Sequence, residues 1–179
     1  IINALNRLAQ QGMVDSESYR GFYVRPMDLQ EVWDAFGVRE AIETYAVAEA
    51  IAKADQGDFK LLEEKLQEHE SYQPSYYDRK KLFLDAAFHL QITEMTANRV
   101  LKWHLRMNFE HVYLRARLDN YDTDRMTKAP AEHRILLKQM KDKNVLGSVE
   151  TIRNHIQTAR GFVIDCLSNN QNDAEQYAL

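Results

Sequence analysis

Residues 84–92, LDAAFHLQI, decide how the rest of the chain is read. The stretch is helix-forming and mostly apolar, yet it sets Asp85 and His89 four positions apart. Residues three or four apart are neighbours on a helix, so Leu82, Asp85, Ala86, His89 and Ile92 share one face. Burying an unpaired carboxylate or a charged imidazole costs several kcal/mol, so such groups pair, hydrogen-bond or coordinate a metal. The stretch therefore predicts a helix whose inner face carries chemistry as well as packing.

Two later segments repeat the pattern. His133 stands in register with Leu136, Leu137 and Met140, and His155 with Ile152, Ile156, Ala159, Phe162 and Val163. Three helices thus each offer an ionisable group to one core. One carboxylate oxygen and three neutral imidazole nitrogens suit a borderline divalent ion such as zinc or nickel, with ligand distances of about 2.0 to 2.2 Å. Taken singly, each residue has a plainer reading, since a lone core histidine is more often hydrogen-bonded than metal-bound. Arg39 has two readings: a surface ion pair with Glu43 at i+4, or a carboxylate clamp facing the metal pocket. His104 and His111 fall at helical spacing with Asn108 and Arg115 and line either a polar pocket or an exposed, dimer-facing stripe. His69, between glutamates in EKLQEHESY, is expected on the solvated surface.

Composition supports an all-α chain. Of 179 residues, 45% are hydrophobic, while only 6 Gly and 3 Pro leave little turn chemistry for many strands. Periodicity predicts a helix over Ile1 to Gln11 stopped by Gly12. A small β-hairpin follows, with Met13-Val14 and Phe22-Tyr23-Val24 flanking Arg20-Gly21. Six more helices come next: Asp28 to about Ala54, one beginning after Asp55-Gln56-Gly57, about Asp78 to Thr96, about Arg99 to Leu118, one from near Pro130, and about Leu146 to Ser168. DNYDTDRMTKAP, residues 119–130, is expected to be a loop. A formal net charge of -4 excludes a surface that coats nucleic acid throughout but leaves room for a local DNA contact. The single cysteine, Cys166, and the absence of any signal peptide or long apolar run point to a reducing cytoplasm. IINALNRL begins in mid-pattern without an initiator Met, as expected of a fragment whose N-terminal part is missing.

The order of these segments resembles a known family. ALNRLAQQGMVDSESYRGFYVRP is similar to the end of the winged-helix domain of GntR-family transcription regulators, where the recognition helix runs into the wing. LQEVWDAFGVREAIETYAVAEA resembles the opening helix of the FCD ligand-binding domain of the FadR branch, and DAAFHLQITEMTANRVL, AEHRILLKQMKDKN and TIRNHIQTA resemble its three metal-bearing segments. The resemblance implies a winged-helix remnant over residues 1–27 and a helical metal- and effector-binding, dimerising domain over residues 28–179. It places Asp85, His89, His133 and His155 on the family's metal ligands. It also puts Arg39 in a pocket for a small organic acid, and the polar-pocket reading of their spacing adds His111 and Arg115 as candidate effector contacts. Asn3, Asn6, Arg7 and Arg20 become the DNA-contacting residues of a homodimer that binds an operator. Six helices after the wing are closer to the VanR-like subgroup. Ala97 departs from the glycine usual before the asparagine that follows it.

Two other readings compete. A metal-dependent hydrolase also uses three protein nitrogens and an open position. The sequence, however, contains neither HExxH nor the paired Glu and ExxH motifs of di-iron bundles. A helical interaction module with a purely structural metal is the third.

Overall fold

A computed structural model describes residues 1–76, 78–116 and 124–176. In chain order the elements are α1 (Ile2–Gln10), β1 (Asp15–Glu17), β2 (Gly21–Tyr23), α2 (Leu29–Lys53), α3 (Gln56–Ser71), α4 (Arg79–Met95), α5 (Arg99–Arg115), α6 (Asp124–Lys141) and α7 (Val145–Gln176). The architecture is the expected all-α bundle with a small hairpin, and six helices follow the hairpin among the described residues. No helix of the described residues is long and apolar enough to cross a membrane.

Helix starts follow cap chemistry. Asp28 accepts from the Glu31 amide while Glu31 returns a bond to the Asp28 amide, and Asp55 and Asp58 do the same for α3. Asp78 caps α4 through the Lys81 amide, and Asn98 caps α5 through the amides of Val100 and Leu101. The turn between α4 and α5 puts Ala97 at φ 56°, in the left-handed region that favours glycine, at the position where the family resemblance expects one.

The two longest helices, α2 and α7, make the most extensive packing, while α4 lies against α2, α3 and α5, and α6 joins α3 to α7. Val32, Val47, Leu62, Phe88, Ile92, Leu105, Leu136, Met140, Ile152 and Ile156 form the dry centre. Full burial of each such side chain contributes about 1.5 to 3 kcal/mol. This core surrounds Asp85, His89, His133 and His155.

Three boundaries differ from expectation. The strands begin at Asp15, because Met13 and Val14 are buried and the Met13 amide closes α1 by donating to the Leu8 carbonyl. The pairing is Asp15 with Tyr23, Ser16 with Phe22 and Glu17 with Gly21. Of the expected loop, residues 119–123 lie outside the described residues, whereas residues 124–130 are the first turns of α6. Pro130 sits inside that helix, where its missing N–H removes only one bond, while buried Met126 and Ala129 fasten the turns before it. Helix α5 ends at Arg115 because Ala116 turns extended as its C-cap, short of the expected Leu118, with residues 117 and 118 outside the described residues, while α7 runs beyond Ser168 to Gln176.

The hairpin reaches the bundle through residues 24–28. Arg25 lies 2.5 Å from Glu31 and 3.7 Å from Asp15, and buried Met27 inserts into the core. The Arg115 hydrogen bond holds the Glu31 carboxyl at about 2, against an opposing desolvation effect.

Two outcomes test this packing. Ile152→Ala should cost about 2 to 5 kcal/mol in urea denaturation, and a loss below about 1 kcal/mol would show that α7 is not seated on this core. Glu31 is depressed in the folded chain, so its contribution is present above its ordinary value of 4.5 and fades as pH falls toward about 2. Glu31→Gln should therefore be less stable than the parent at neutral pH, with the gap closing across that acidic window in paired denaturation curves.

Candidate metal centre

Helix α4 supplies Asp85 and His89, α6 supplies His133 and α7 supplies His155. All four are buried, and one ligand-type atom from each lies within 4.8 Å of all the others. The three Nε2 atoms form a tight triangle: His89 to His155 3.1 Å, His89 to His133 3.1 Å and His133 to His155 3.3 Å. Asp85 closes the group, with Oδ1 3.5 Å from His133 Nε2 and 4.0 Å from His155 Nε2, and Oδ2 3.7 Å from His89 Nε2. Four ligands at the usual zinc distances on a tetrahedron stand about 3.3 to 3.4 Å apart. The observed edges bracket that value.

Hydrogen bonding on the far side of the rings decides what the triangle is. His89 Nδ1 meets the Glu43 carboxylate, and His155 Nδ1 lies 2.6 Å from Glu132 Oε2. A carboxylate only accepts, so each Nδ1 carries the proton and each Nε2 presents a lone pair to the centre. Lone pairs facing each other at 3.1 Å repel unless something positive stands between or beside them. Arg39 Nη2 donates to His89 Nε2 at 2.9 Å and Arg125 Nη2 stands 3.5 Å from His155 Nε2, while His133 Nε2 faces only the other rings and Asp85. His133 Nδ1 has no hydrogen-bond partner among the described residues, and its ring is stacked on Phe88 with centroids 4.1 Å apart. The donor set and its pre-set tautomers fit a divalent cation.

Electrostatics agree. Burial would raise the Asp85 carboxyl, but the three histidines and Arg39 outweigh it and hold the group well below the usual carboxylate range. Burial, reinforced by the neighbouring rings, holds His133 and His155 far below ordinary histidine values, so both are neutral. Arg39 pairs with Glu43 at 2.5 Å, and that pairing together with His89 outweighs burial to hold the Glu43 carboxyl below its ordinary value.

Arg39 is thus buried beside the cluster, with Asp85 Oδ2 3.9 Å from its Nη2, and the surface ion-pair reading is incorrect because both partners are inside. His69 corrects another expectation. It is 1% exposed, lies against His133 with ring centroids 5.4 Å apart, and burial lowers its pKa to about 4. Its flanking glutamates point to solvent while its own face turns inward, which a local count of charges does not reveal. Beside Asp85 lies a cavity of about 20 Å³ lined by residues including Phe36, Arg39, Tyr113, Arg125 and Phe162, room for about one water-sized group. His111 and Arg115 are not among its lining residues. They meet one another at 2.6 Å, and Arg115 also donates to Glu31 and to the backbone before α2. Asn3, Asn6, Arg7 and Arg20 are exposed on α1 and the hairpin turn.

Four members of the site escaped sequence reasoning: Glu43, Glu132, Arg125 and Tyr113. Glu43 was visible as the i+4 partner of Arg39. Glu132 adjoins His133 and so lies outside the single face that was followed. Arg125 fell in the expected loop, yet it donates to Glu132 at 2.8 Å and lies against the His155 ring, 3.2 Å from Nδ1. Tyr113 reaches Asp85 Oδ2 at 3.2 Å from a helix read mainly for its histidines.

Comparison with known proteins agrees with this architecture. Residues 34–158 match the model of the FCD domain. A curated relative, the uncharacterized HTH-type transcriptional regulator YdhC of Bacillus subtilis, is 28% identical over 149 residues, covering 80% of this chain. The chain spans 65% of that relative's length. Among solved structures, a GntR-family transcriptional regulator from Pseudomonas syringae aligns with TM-score 0.66 and 22% identity over 97% of this chain and 72% of its own. McbR/YncC of E. coli aligns with TM-score 0.77 and 18% identity over 92% and 83%. At these identities the solved structures speak for the fold. With the family model spanning most of its length, the chain belongs to the FCD domain family, as its resemblance to GntR-family regulators implies.

Proposed function

We propose that this chain is the sensing and pairing part of a transcription regulator: residues 28–179 hold a divalent ion and a small carboxylate effector, and residues 1–27 belong to the winged helix that meets operator DNA. The observation that carries the reading is the pair of inward lone pairs on His89 and His155, each set by a carboxylate on the opposite ring nitrogen. Such outer carboxylates orient histidine ligands and raise their basicity. Asp85, His89, His133 and His155 would hold the ion, with zinc or nickel the best match to an N3O set. When bound, the ion offers a Lewis-acidic position to an anionic group. Arg39 supplies a second cationic contact at the same place, and the apolar wall of Phe36 and Phe162 suits the body of an organic acid. Glu43 and Glu132 are the two other acidic side chains here, and both are committed to imidazoles, which leaves neither as a free base for hydrolysis.

The exposed side of α5 supports a homodimer. Val100, Trp103 and Leu114 are exposed and, with Met107, follow a heptad stripe, while Leu105, Phe109 and Val112 on the other side fill the core. A monomer rarely leaves such a stripe uncovered. Arg99 and Lys102 stand toward one end of the helix and Glu110 toward the other. An antiparallel two-fold crossing of two α5 helices therefore brings opposite charges together. The effector acts by binding two dimer arrangements unequally, and a coupling of about 1 to 3 kcal/mol changes operator affinity about 5- to 150-fold. Asn3, Asn6 and Arg7 on α1 and Arg20 at the hairpin turn are the DNA-facing residues of this reading.

Native mass spectrometry with metal analysis should find one zinc or nickel ion per chain. Glu132→Gln should weaken zinc binding about 10- to 100-fold by calorimetry, and His133→Ala by more. Undiminished metal content in His133→Ala would place the site elsewhere. Thermal-shift screening of small carboxylic acids should yield a ligand whose effect disappears with chelator, and an acid that stabilises equally with and without chelator would refute the joint site. Trp103→Glu should convert the dimer to a monomer in analytical ultracentrifugation without loss of helicity. A dimer of unchanged affinity would exclude α5 as the interface.

A further inference from the structure

Residues 25–27 join the hairpin to α2, and one side chain from a distant helix holds them. Arg115, the last residue of α5, has no exposed side-chain surface. Its Nε donates to the Arg25 carbonyl at 2.9 Å, and Nη2 donates to the Pro26 carbonyl at 3.1 Å and to Glu31 Oε2 at 2.7 Å. Its Nη1 donates to Glu31 Oε1 at 3.0 Å and meets His111 Nε2 at 2.6 Å. A guanidinium has five N–H donors in a fixed fork, and five acceptors surround this one. No donor is left over for an anionic ligand. Arg25 in turn spans Glu31 on α2 and Asp15 on β1, so the fork grips both the backbone and the charge network of the segment.

The same helix touches the candidate metal centre. Two residues before Arg115, the Tyr113 hydroxyl donates to Asp85 Oδ2 at 3.2 Å in the buried interior. An α-helix rises about 1.5 Å per residue and is stiff over such a distance, so the two contacts move together. A cation on Asp85 competes for the oxygen that Tyr113 uses.

We propose that Arg115 is a linker clamp rather than an effector contact, and that α5 relays the state of the Asp85 site to the hairpin through Tyr113 and Arg115. The relay rests on the metal reading above, whereas the clamp does not. Linkage supplies the logic: a helix that contacts both sites transmits only if the two states of one contact favour different positions of the other.

Hydrogen exchange of the whole chain, read by mass spectrometry with zinc alone as the added ligand, tests both halves. Without zinc, Arg115→Met should speed exchange of amides 13–27 by about tenfold or more while α4 and α7 around Asp85 keep their protection. Arg115→Lys should not restore it, because an ammonium has three donors and no fork. Unchanged exchange in Arg115→Met overturns the clamp. Should that variant fail to fold, Glu31→Gln takes its place: faster exchange at 13–27 supports the clamp and unchanged exchange overturns it. For the relay, zinc should change exchange at 13–27 in the parent chain but not in Tyr113→Phe. Zinc that binds, by native mass spectrometry, without altering 13–27 overturns the relay alone, as does a full zinc response in Tyr113→Phe. Zinc that does not bind overturns the metal reading and the relay with it, and the Arg115→Met result still decides the clamp.

Discussion

Three imidazole nitrogens and a carboxylate confined to a space a few ångströms across, with no bulk water to separate them, form the constraint around which this bundle is arranged. Asp85, His89, His133 and His155 come from α4, α6 and α7, so those helices can pack only in a register that brings the four together. The outer ring of charges extends the demand: Glu43 and Arg39 bind α2 to α4 through His89, and Glu132 and Arg125 bind α6 to α7 through His155. Removing one member of such a buried network leaves its partner charged and unpaired, which is costlier than never having built the network. The apolar core supplies the bulk of the stability, and the polar centre makes the arrangement unique.

Most of the bundle is legible in the sequence because its helices announce themselves twice, by apolar spacing and by the acidic or asparagine caps at Asp28, Asp55, Asp78 and Asn98. The start of α6 carries a misleading signal instead. Pro130 resembles a first-turn residue, and the polar run before it resembles a loop, but tertiary burial of Met126 and Ala129 overrides both cues. The four inner residues of the site were legible for the same reason as the helices: an ionisable group on an apolar stripe is conspicuous. Their outer partners were not, because Glu43, Glu132 and Arg125 resemble surface charges until the fold turns them inward. His69 shows the limit of local reading most plainly. Neighbouring glutamates describe one side of a helix, and burial depends on the other.

The N-terminal hairpin and the bundle differ in how firmly they are held. Helix α1 has no buried residue, whereas the residues after the hairpin are tied down by Met27, Arg25, Glu31 and Arg115. Burial therefore rises after α1, first at Met13 and Val14 and again at Met27, so the junction with α2 is where a movement of the helical domain would first reach the hairpin.

The smallness of the cavity beside Asp85 has a kinetic consequence. A space of about 20 Å³ admits a water-sized group, so the organic acid of the proposed function would enter only after the side chains lining it part. Binding that waits on such an opening proceeds well below the diffusional ceiling, and release waits on the same event. A sensor of the proposed kind would average over brief fluctuations in its ligand and respond to sustained changes in concentration.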